Sequence, residues 1–308
     1  MADLSVNLAG IPFKNPVCVS SGTCGYGREL NGFYDLSRLG GIFAKGTTIT
    51  PRPGNPLPRI AETPSGMINA VGLENPGIDA VIARELPWLV RHDLCVFLNI
   101  AGDTAEEYAE ICAKLEGVPG LKGIELNISC PNVKNGLAFG STPEGAFEVV
   151  SLCRKRTSLP LFVKLTPNVT DIAVIVRAVE DAGADALTVM NTLVGMVIDI
   201  EKKRPLLGNT MGGLCGPATF PVALRMAYQV SQMTALPIVG VGGIASVEDA
   251  VAFFMAGADA IAVGTGNLVT PMLTMELIEG LNAWLDGHGY HSLKEITGAA
   301  LPNGRPRA

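Results

Sequence analysis

Eight short apolar runs recur along the chain, and a segment with a helical pattern follows each of them. The runs alternate little between polar and apolar residues, as expected of strands that are buried on both faces. Strands that alternate with helices favour a parallel sheet, and eight such units favour a closed barrel. The predicted strands are Pro16–Ser20, Gly41–Lys45, Leu94–Ile100, Gly123–Asn127, Leu161–Leu165, Ala186–Met190, Pro237–Gly240 and Ala260–Gly264.

Helix-boundary signals support this division of the chain. Thr104 and Ser246 each precede a predicted helix and have an acidic residue three positions later, which is typical of a helix N-terminus. Gly183 follows the predicted helix 171–182 and marks its end. An open doubly wound sheet is the alternative, but no strand–GxGxxG–helix unit appears near the N-terminus. We therefore predict an α/β protein with a single (β/α)8 TIM-barrel domain over residues 1–308.

Three connections, 46–75, 131–142 and 191–216, are too long for tight turns. Long structureless loops in a compact domain are usually functional. All three leave the C-terminal ends of predicted strands, and those ends share one rim of a barrel, where the chemistry of such folds is done. At the start of the chain, residues 4–13 alternate and turn at Gly10, which predicts a small N-terminal hairpin.

The composition excludes several classes of protein. The chain has 308 residues, is 48% hydrophobic and 17% charged, and carries a net charge of −6 without a long basic block, so nucleic acid is not an expected partner. Its 7 cysteines are scattered without C-x-x-C spacing, so no metal site is predicted. No apolar leader or run of about 18 apolar residues occurs, and free thiols fit a reducing compartment, so we expect a cytoplasmic protein without a membrane span.

A cysteine stands where the fourth predicted strand ends. The stretch Asn127-Ile128-Ser129-Cys130-Pro131-Asn132 places this thiol between amides, and Pro131 stops the strand because it has no N–H to donate. None of the three histidines falls near the predicted rim, so Cys130 is the candidate general base. A thiol has a pKa near 8.5, and a mildly electropositive site yields the thiolate. A buried, inert cysteine is the alternative.

Glycines end the last two predicted strands, in residues 239–243 and 262–266, and predicted helices follow. Glycine lets backbone N–H groups approach an anion closely, and a helix N-terminus adds a favourable dipole. In this barrel type, the loops after strands seven and eight are the usual phosphate site. The pattern therefore indicates a phosphorylated substrate or cofactor. Ordinary turn glycines are the alternative.

Lysines and amides crowd the same predicted rim. Lys45 and Lys164 end strands two and five, and a lysine in an apolar strand is costly unless it meets an anion or an electron-rich partner. A flavin fits, because negative charge develops on its N1/O2 edge on reduction. Lysines that extend to solvent and turn-forming amides are the alternatives. The amides are Asn69, Asn75, Asn99, Asn127, Asn132 and Asn191, with Thr192 after the last.

Together these motifs resemble those of a known family. Residues 127–136 resemble the catalytic loop of the class 1 dihydroorotate dehydrogenases, which are FMN-containing (β/α)8 barrels. The resemblance covers nearly the whole chain in the same motif order, and Ser-Cys-Pro-Asn-Val-Lys is most similar to type 1B. It continues through Ser20–Gly22, Ala44–Thr48, Asn69–Gly77, Gly212–Pro217 and both glycine-rich strand ends.

The resemblance implies oxidation of (S)-dihydroorotate to orotate in de novo pyrimidine (UMP) biosynthesis. Cys130 is then the general base at C5, and C6 delivers hydride to FMN N5. The implied substrate contacts are Lys45, Asn69, Ala70, Val71, Gly72, Leu73, Asn127, Asn191 and Thr192. The implied FMN contacts are Ser21, Lys45, Gly46, Asn99, Asn127, Lys164, Met190, Gly216, Gly242, Gly243, Gly264 and Thr265. Two departures are mild: Cys215 replaces a usual serine, and Gly46 a frequent alanine.

Type 1B also implies partners. One FMN is expected in each chain, with FAD and a [2Fe-2S] cluster only on a separate electron-transfer subunit that reduces NAD+, around a homodimeric core of a heterotetramer. Type 1A, which uses fumarate, and dihydropyrimidine dehydrogenase, which commonly has His where Asn132 stands, are alternatives. An aldolase or isomerase barrel with a Schiff base on Lys164 and a non-enzymatic flavin-binding subunit are more distant ones.

Overall fold

Eight parallel strands close into a barrel, as predicted. The computed structural model describes residues 2–129 and 139–305. Each barrel strand pairs with its neighbours in the chain, and the last strand closes on the first. Every strand lies within two residues of its predicted bounds. They are β1 Val17–Val19, β2 Gly41–Thr47, β3 Cys95–Ile100, β4 Leu121–Asn127, β5 Leu161–Lys164, β6 Ala186–Val189, β7 Ile238–Gly240 and β8 Ala260–Val263.

Helices alternate with the strands, and two predicted N-termini are confirmed. Thr104 accepts a hydrogen bond from the Glu107 backbone N–H, and Ser246 forms a reciprocal capping box with Asp249. No helix of the described ranges is long and apolar enough to cross a membrane. The helices are Ile78–Ala80, Val81–Glu85 (a π-helical turn), Leu86–Leu89, Ala105–Leu115, Pro143–Arg154, Ile172–Asp181, Phe220–Ser231, Val247–Met255, Thr265–Val269 and Leu273–Gly287. Short 3₁₀ turns cover Leu30–Gly32, Leu36–Arg38, Phe139–Ser141, Pro217–Thr219 and Leu293–Glu295.

The predicted N-terminal hairpin is present and closes the amino end of the barrel. Its strands, Val6–Leu8 and Ile11–Phe13, are antiparallel and pack into the same apolar cluster as the inward side chains of the barrel. Phe97 stacks on Phe43 with ring centroids 4.8 Å apart and meets Phe162 edge-on at 4.7 Å. Since aromatic rings fill the amino half of the barrel, only the carboxyl half has room for polar chemistry.

Two of the three long connections are not structureless, which corrects the sequence-based expectation. Parts of 46–75 and 191–216 pair across the rim as a four-stranded antiparallel sheet. Its strands, in spatial order, are Leu193–Met196, Met211–Cys215, Gly66–Asn69 and Ile60–Thr63. A two-stranded pair, Ile198–Asp199 with Arg204–Pro205, extends the second connection. Most of the third connection, 131–142, lies outside the described residues.

Candidate active site

A polar layer lies directly above the aromatic core of the barrel. Alternate residues of a strand point to the same face. Two side chains that are two residues apart therefore both point into the barrel, and the second lies nearer to the carboxyl rim. On β3 and β5 this step leads from Phe97 to Asn99 and from Phe162 to Lys164, polar residues that the sequence predicted at the site. On β2, Lys45 follows Phe43 by two residues and lies at a register irregularity between Ala44 and Thr47.

A buried carboxylate, which the sequence analysis did not single out, joins this layer. Glu125 of β4 is 1% exposed, and its Oε2 accepts hydrogen bonds from Asn99 Nδ2 at 2.5 Å and from Ser21 Oγ at 3.1 Å. Ser21 Oγ in turn accepts from Lys164 Nζ at 3.3 Å. Four side chains therefore form one network. An acidic residue inside an apolar strand run was the sequence signal for it, because a buried carboxylate needs partners.

A second group of amides lies at the ends of β4 and β6. Asn191 Nδ2 donates to Asn127 Oδ1 at 3.0 Å, and the Thr192 backbone N–H donates to Asn191 Oδ1 at 2.9 Å. Tyr108 adds a hydrogen bond from its hydroxyl to the Asn127 carbonyl at 2.6 Å, a role without a sequence signal. The structure thus brings together three predicted substrate contacts. Cys130 stands three residues after Asn127 in the chain but lies outside the described residues, as does Asn132.

The four-stranded sheet brings Asn69 to this rim. Asn69 is in register with Gly213 and donates through Nδ2 to the Gly213 carbonyl at 3.2 Å and to Cys215 Sγ at 3.5 Å. A Cβ on Gly213 would overlap the side chain of Thr192, so Thr192 lies next to this pair. Cys215, the thiol that replaces a usual serine, is therefore a partner of a predicted substrate contact.

Asn75, in contrast, does not belong to the amide ring. Its Oδ1 accepts from the backbone N–H groups of Thr48 and Gly77 at 3.2 and 2.9 Å. Its Nδ2 donates to Thr48 Oγ1 at 2.9 Å and to the Leu73 carbonyl at 2.6 Å. Because these four bonds lie within the connection after β2, Asn75 is a loop-stabilising residue, and the turn alternative was correct for it.

The remaining predicted substrate residues lie where that connection returns to the barrel. The Ala70 backbone N–H donates to the Arg59 carbonyl, and the Val71 carbonyl accepts from the Asn55 N–H, so both residues pair with the connection itself. Gly72 has φ +76°, which favours glycine. The next residue, Leu73, packs beside Gly46.

Close packing around Gly46 accounts for the absence of a side chain there. A Cβ on Gly46 would lie 2.8 Å from Asn99 Oδ1 and 3.2 Å from Leu73 Cδ2. Leu73 is a predicted substrate contact and Asn99 a predicted flavin contact, so the two sets meet at this residue. An alanine at this position would require one of the two neighbours to move.

The glycines after β7 pack against the first turn of helix Phe220–Ser231. Gly242 and Gly243 have φ values of +135° and +73°, and a Cβ on Gly243 would lie 2.6 Å from the Phe220 backbone nitrogen. A Cβ on Gly242 would lie 2.6 Å from that of Ala223. Helix packing therefore requires glycine at both positions, and the same packing brings a helix N-terminus to the loop.

The loop after β8 meets the loops after β1 and β6. A Cβ on Gly264 would lie 2.9 Å from Ser20 Oγ, and one on Gly216 would lie 3.5 Å from Thr265 Cγ2. Met190, at the end of β6, donates its backbone N–H to the Val241 carbonyl at 3.0 Å and so adjoins the loop after β7. All predicted phosphate-site residues thus lie on loops that converge at one part of the rim.

Lys45 lines a cleft of about 510 Å³ beside the rim, together with Tyr26, Arg52 and Glu74 among others. Burial lowers the pKa of the Lys45 ammonium below its ordinary value, and the nearby Cys24 and Glu74 oppose this shift. Burial also raises the pKa of the Cys24 thiol to about 12. Cys24 is therefore protonated at neutral pH and is not a competing base at this rim.

The described residues fit a flavin. Thr188 shares the inward side of β6 with Ala186, and its Oγ1 is buried without a hydrogen-bond partner in the described ranges. Lys164 is a buried lysine, and the glycine-rich loops after β7 and β8 converge at one part of the rim. A planar polar heterocycle with a phosphate tail satisfies all three features. Within the same ranges, no group of three or more His, Cys, Asp or Glu residues is arranged to hold a metal ion.

The fold and this rim define a (β/α)8 barrel with an amide- and lysine-lined site. The family model for dihydroorotate dehydrogenase matches residues 3–285. The chain therefore belongs to the dihydroorotate dehydrogenase family and is an oxidoreductase, which confirms the resemblance drawn from its motifs. The family implies a flavin cofactor.

Curated relatives cover almost the whole chain. A protein of Pelobacter propionicus is 50% identical over 298 residues, which is 96% of this chain and 98% of the relative. One of Anoxybacillus flavithermus is 50% identical over 306 residues (99% and 98%), and one of Geobacillus kaustophilus is 51% identical over 305 residues (99% and 97%). Each of these relatives is named dihydroorotate dehydrogenase B (NAD(+)), catalytic subunit, a name that implies a partner subunit for it.

Proposed function

We propose that this chain is the catalytic subunit of an NAD+-linked, type 1B dihydroorotate dehydrogenase, and that residues 1–308 form one FMN-binding domain. It oxidises (S)-dihydroorotate to orotate in pyrimidine biosynthesis. Identity of about half the residues to relatives of that name, over nearly their full length, carries the proposal. The paired amides of Asn127, the last residue of β4, and Asn191, two residues after β6, support it chemically.

The substrate offers alternating carbonyl and N–H groups and a carboxylate, and the rim offers matching partners. Amides both donate and accept hydrogen bonds, so Asn69, Asn127 and Asn191 suit the ring of dihydroorotate. Lys45 provides a cation for an anionic group. Thr192 and residues 70–73 complete the substrate contacts. This set fixes the substrate at the carboxyl end of the barrel.

Cys130 is the general base that removes the proton from C5. The backbone leading to it is held in place, because Ser129 donates its N–H to Asn127 Oδ1 at 3.3 Å and its hydroxyl to the Lys164 carbonyl at 3.2 Å. A base held at a fixed position contributes roughly 10²–10⁴ in rate. When bound, FMN supplies at its N5 atom the acceptor for the hydride that leaves C6.

The FMN contacts divide into three groups by chemistry. Lys164 supplies a buried positive charge that stabilises the negative charge of the reduced cofactor, and Lys45 adds a second. The glycine loops and Thr265 hold the phosphate through backbone N–H groups. Polar and apolar neighbours of the ring complete the site. The full set is Ser21, Lys45, Gly46, Asn99, Asn127, Lys164, Met190, Gly216, Gly242, Gly243, Gly264 and Thr265.

A second subunit completes the pathway to NAD+. We propose that it carries FAD and a [2Fe-2S] cluster and docks on a homodimer of this chain in a cytoplasmic heterotetramer. The relatives' shared designation as catalytic subunits supports a partner. The cofactors of that partner and the homodimer rest on the resemblance to type 1B.

Anaerobic reduction of the bound flavin tests the activity directly. The purified, flavin-loaded chain is mixed with (S)-dihydroorotate, and we expect loss of the flavin absorbance with formation of one orotate per flavin. Dihydrouracil is the control, because it keeps the ring amides but lacks the carboxylate, and we expect no reduction by it. Reduction by dihydrouracil alone would assign the chain to dihydropyrimidine dehydrogenase, and a colourless, folded protein would refute the proposal.

A further inference from the structure

We infer that Glu125 is a positioning residue of the flavin site, which orients Lys164 and Asn99 and lowers the reduction potential of the bound flavin. The inference rests on the proposed function, since it requires a flavin at this end of the barrel. Glu125 lies on the inward side of β4, two residues before Asn127 and beside the aromatic core. It belongs to neither predicted contact set.

The carboxylate of Glu125 is buried, and it has no direct cationic partner among the residues that the structure describes. No Lys, Arg or His nitrogen of the described residues lies within 4.0 Å of it, although the side chain is only 1% exposed. Its described partners are Asn99 Nδ2 and Ser21 Oγ, both on Oε2. A buried carboxylate is costly unless it is compensated, so its presence here requires a positive charge nearby.

Lys164 is that charge, and Ser21 links the two. An ammonium group only donates hydrogen bonds, so Ser21 Oγ must accept from Lys164 Nζ. The single hydroxyl proton of Ser21 is then free to point at Glu125, which it meets at 3.1 Å. The link therefore has one direction, from ammonium to hydroxyl to carboxylate. Lys164 is 6% exposed, and Ser21 is the hydrogen-bond partner of its Nζ in the described part of the chain.

Glu125 also fixes the orientation of the Asn99 amide. A carboxylate only accepts, so the NH₂ group of Asn99 must face Glu125, and Oδ1 must face the other way. That oxygen lies beside Gly46, where an added Cβ would approach it to 2.8 Å. Asn99 therefore presents an acceptor on the side of Gly46. A neutral amide at position 125 would accept either orientation of Asn99 and remove this preference.

The charge of Glu125 has a definite effect on a cofactor that gains electrons. In a water-excluded interior, a fixed negative charge disfavours the reduced cofactor, and the Lys164 charge favours it. Glu125 thus offsets part of the effect of Lys164. Glu125→Gln keeps the length and hydrogen-bonding positions of the side chain but removes its charge, so the potential of the flavin becomes more positive.

The test is the midpoint potential of the flavin-loaded protein, measured anaerobically against reference dyes. For Glu125→Gln we expect the oxidised–reduced equilibrium to move about tenfold toward the reduced form, which is ~30 mV for a two-electron couple. Glu125→Met, a neutral variant of similar length, should shift the same way. Glu125→Asp keeps the charge, so its midpoint potential should lie close to the wild-type value.

Asp185→Asn is the matched control. Asp185 precedes β6 at the amino end of the barrel, where it accepts from the Leu161 N–H and from Arg154, both at 2.8 Å. Asp185→Asn removes one carboxylate charge far from the flavin. We expect the free energy of unfolding to fall and the midpoint potential of the flavin to stay at the wild-type value. A wild-type potential in both Glu125→Gln and Glu125→Met would overturn the inference, and so would an equal shift in Asp185→Asn. In either case, reduction of the flavin by dihydroorotate would show that the proposed function still holds. Absence of flavin from the wild-type chain would instead refute the proposed function.

Discussion

At the scale of single residues, burial makes Cys24 an inert cysteine near the rim. Cys24 is 3% exposed, and its Sγ lies 3.3 Å from the Phe43 carbonyl, so its thiol is stabilised in the protonated form. Such a thiol packs as a small apolar group. Cys130 differs in its sequence neighbours, because the amides of Asn127 and Asn132 stand on either side of it and the residue before it is hydrogen-bonded to two strands. Position therefore predicts reactivity for Cys130 and inertness for Cys24.

Replacing Cys130 tests this assignment. We expect Cys130→Ala to slow flavin reduction by dihydroorotate roughly 10²–10⁴-fold, the usual effect of losing a positioned base, with flavin content unchanged. Cys130→Ser should also be slow, since a hydroxyl is far less acidic than a thiol. Stopped-flow absorbance measures the rate. Cys24→Ala is the control and should lower stability but leave the rate near that of the wild type. Fast reduction in Cys130→Ala would show that another group is the base.

At the scale of elements, the sequence predicted the barrel strands well and the rim sheet not at all. Barrel strands are buried on both faces, so each is a local apolar run that stands out from its neighbours. The strands of the rim sheet are short and come from connections far apart in the chain, as Gly213 opposite Asn69 illustrates. Glycines in Met211–Cys215 also weaken any local strand signal.

The residues of the site were predictable from the sequence where they follow an apolar run, and not elsewhere. Lys45, Asn99 and Lys164 follow apolar runs, so the strand prediction placed them at the rim. Glu125 lies inside such a run, and only the inward register of β4 shows that it faces the barrel interior and not a helix. Asn75 was misplaced for the opposite reason, because an amide in a long loop has many backbone groups within reach.

A pair of glycines tests what the rim sheet does. Gly195 and Gly212 face each other in register, but their surroundings differ. A Cβ on Gly212 would clash with the Asn69 carbonyl and lie 2.8 Å from Leu207 Cδ1, whereas one on Gly195 would make an ordinary contact at 3.4 Å with Ile68.

Since overpacking typically costs about 1–3 kcal/mol, we expect Gly212→Ala to displace Asn69 and raise KM for dihydroorotate roughly tenfold. Flavin content should not change, because the barrel loops hold the cofactor. Gly195→Ala should behave as the wild type in steady-state assays. An unchanged KM in Gly212→Ala, with the variant folded, would show that the sheet does not position Asn69 for the substrate.

At the scale of the whole molecule, the predicted substrate and flavin contacts share the carboxyl end of the barrel. The hairpin and the stacked rings of Phe13, Phe43 and Phe97 fill the amino end. We therefore predict that substrate and electron acceptor both approach from the carboxyl end. A nucleotide bound at that rim would compete with the substrate for space. The sequence also has no strand–GxGxxG–helix unit that would bind a dinucleotide elsewhere. We therefore predict that a separate subunit reduces NAD+.

We therefore expect the isolated chain to oxidise dihydroorotate with artificial one- or two-electron acceptors and to reduce NAD+ barely at all. Adding the electron-transfer subunit should restore NAD+ reduction, because that subunit supplies the nucleotide site and a short route for electrons from the flavin. Orotate formation and NADH absorbance, followed in parallel with and without the partner, measure this. Rapid NAD+ reduction by the isolated chain would remove the need for a partner. Efficient turnover with fumarate would assign the chain to type 1A, since that acceptor is small enough to reach the flavin through the same opening as the substrate.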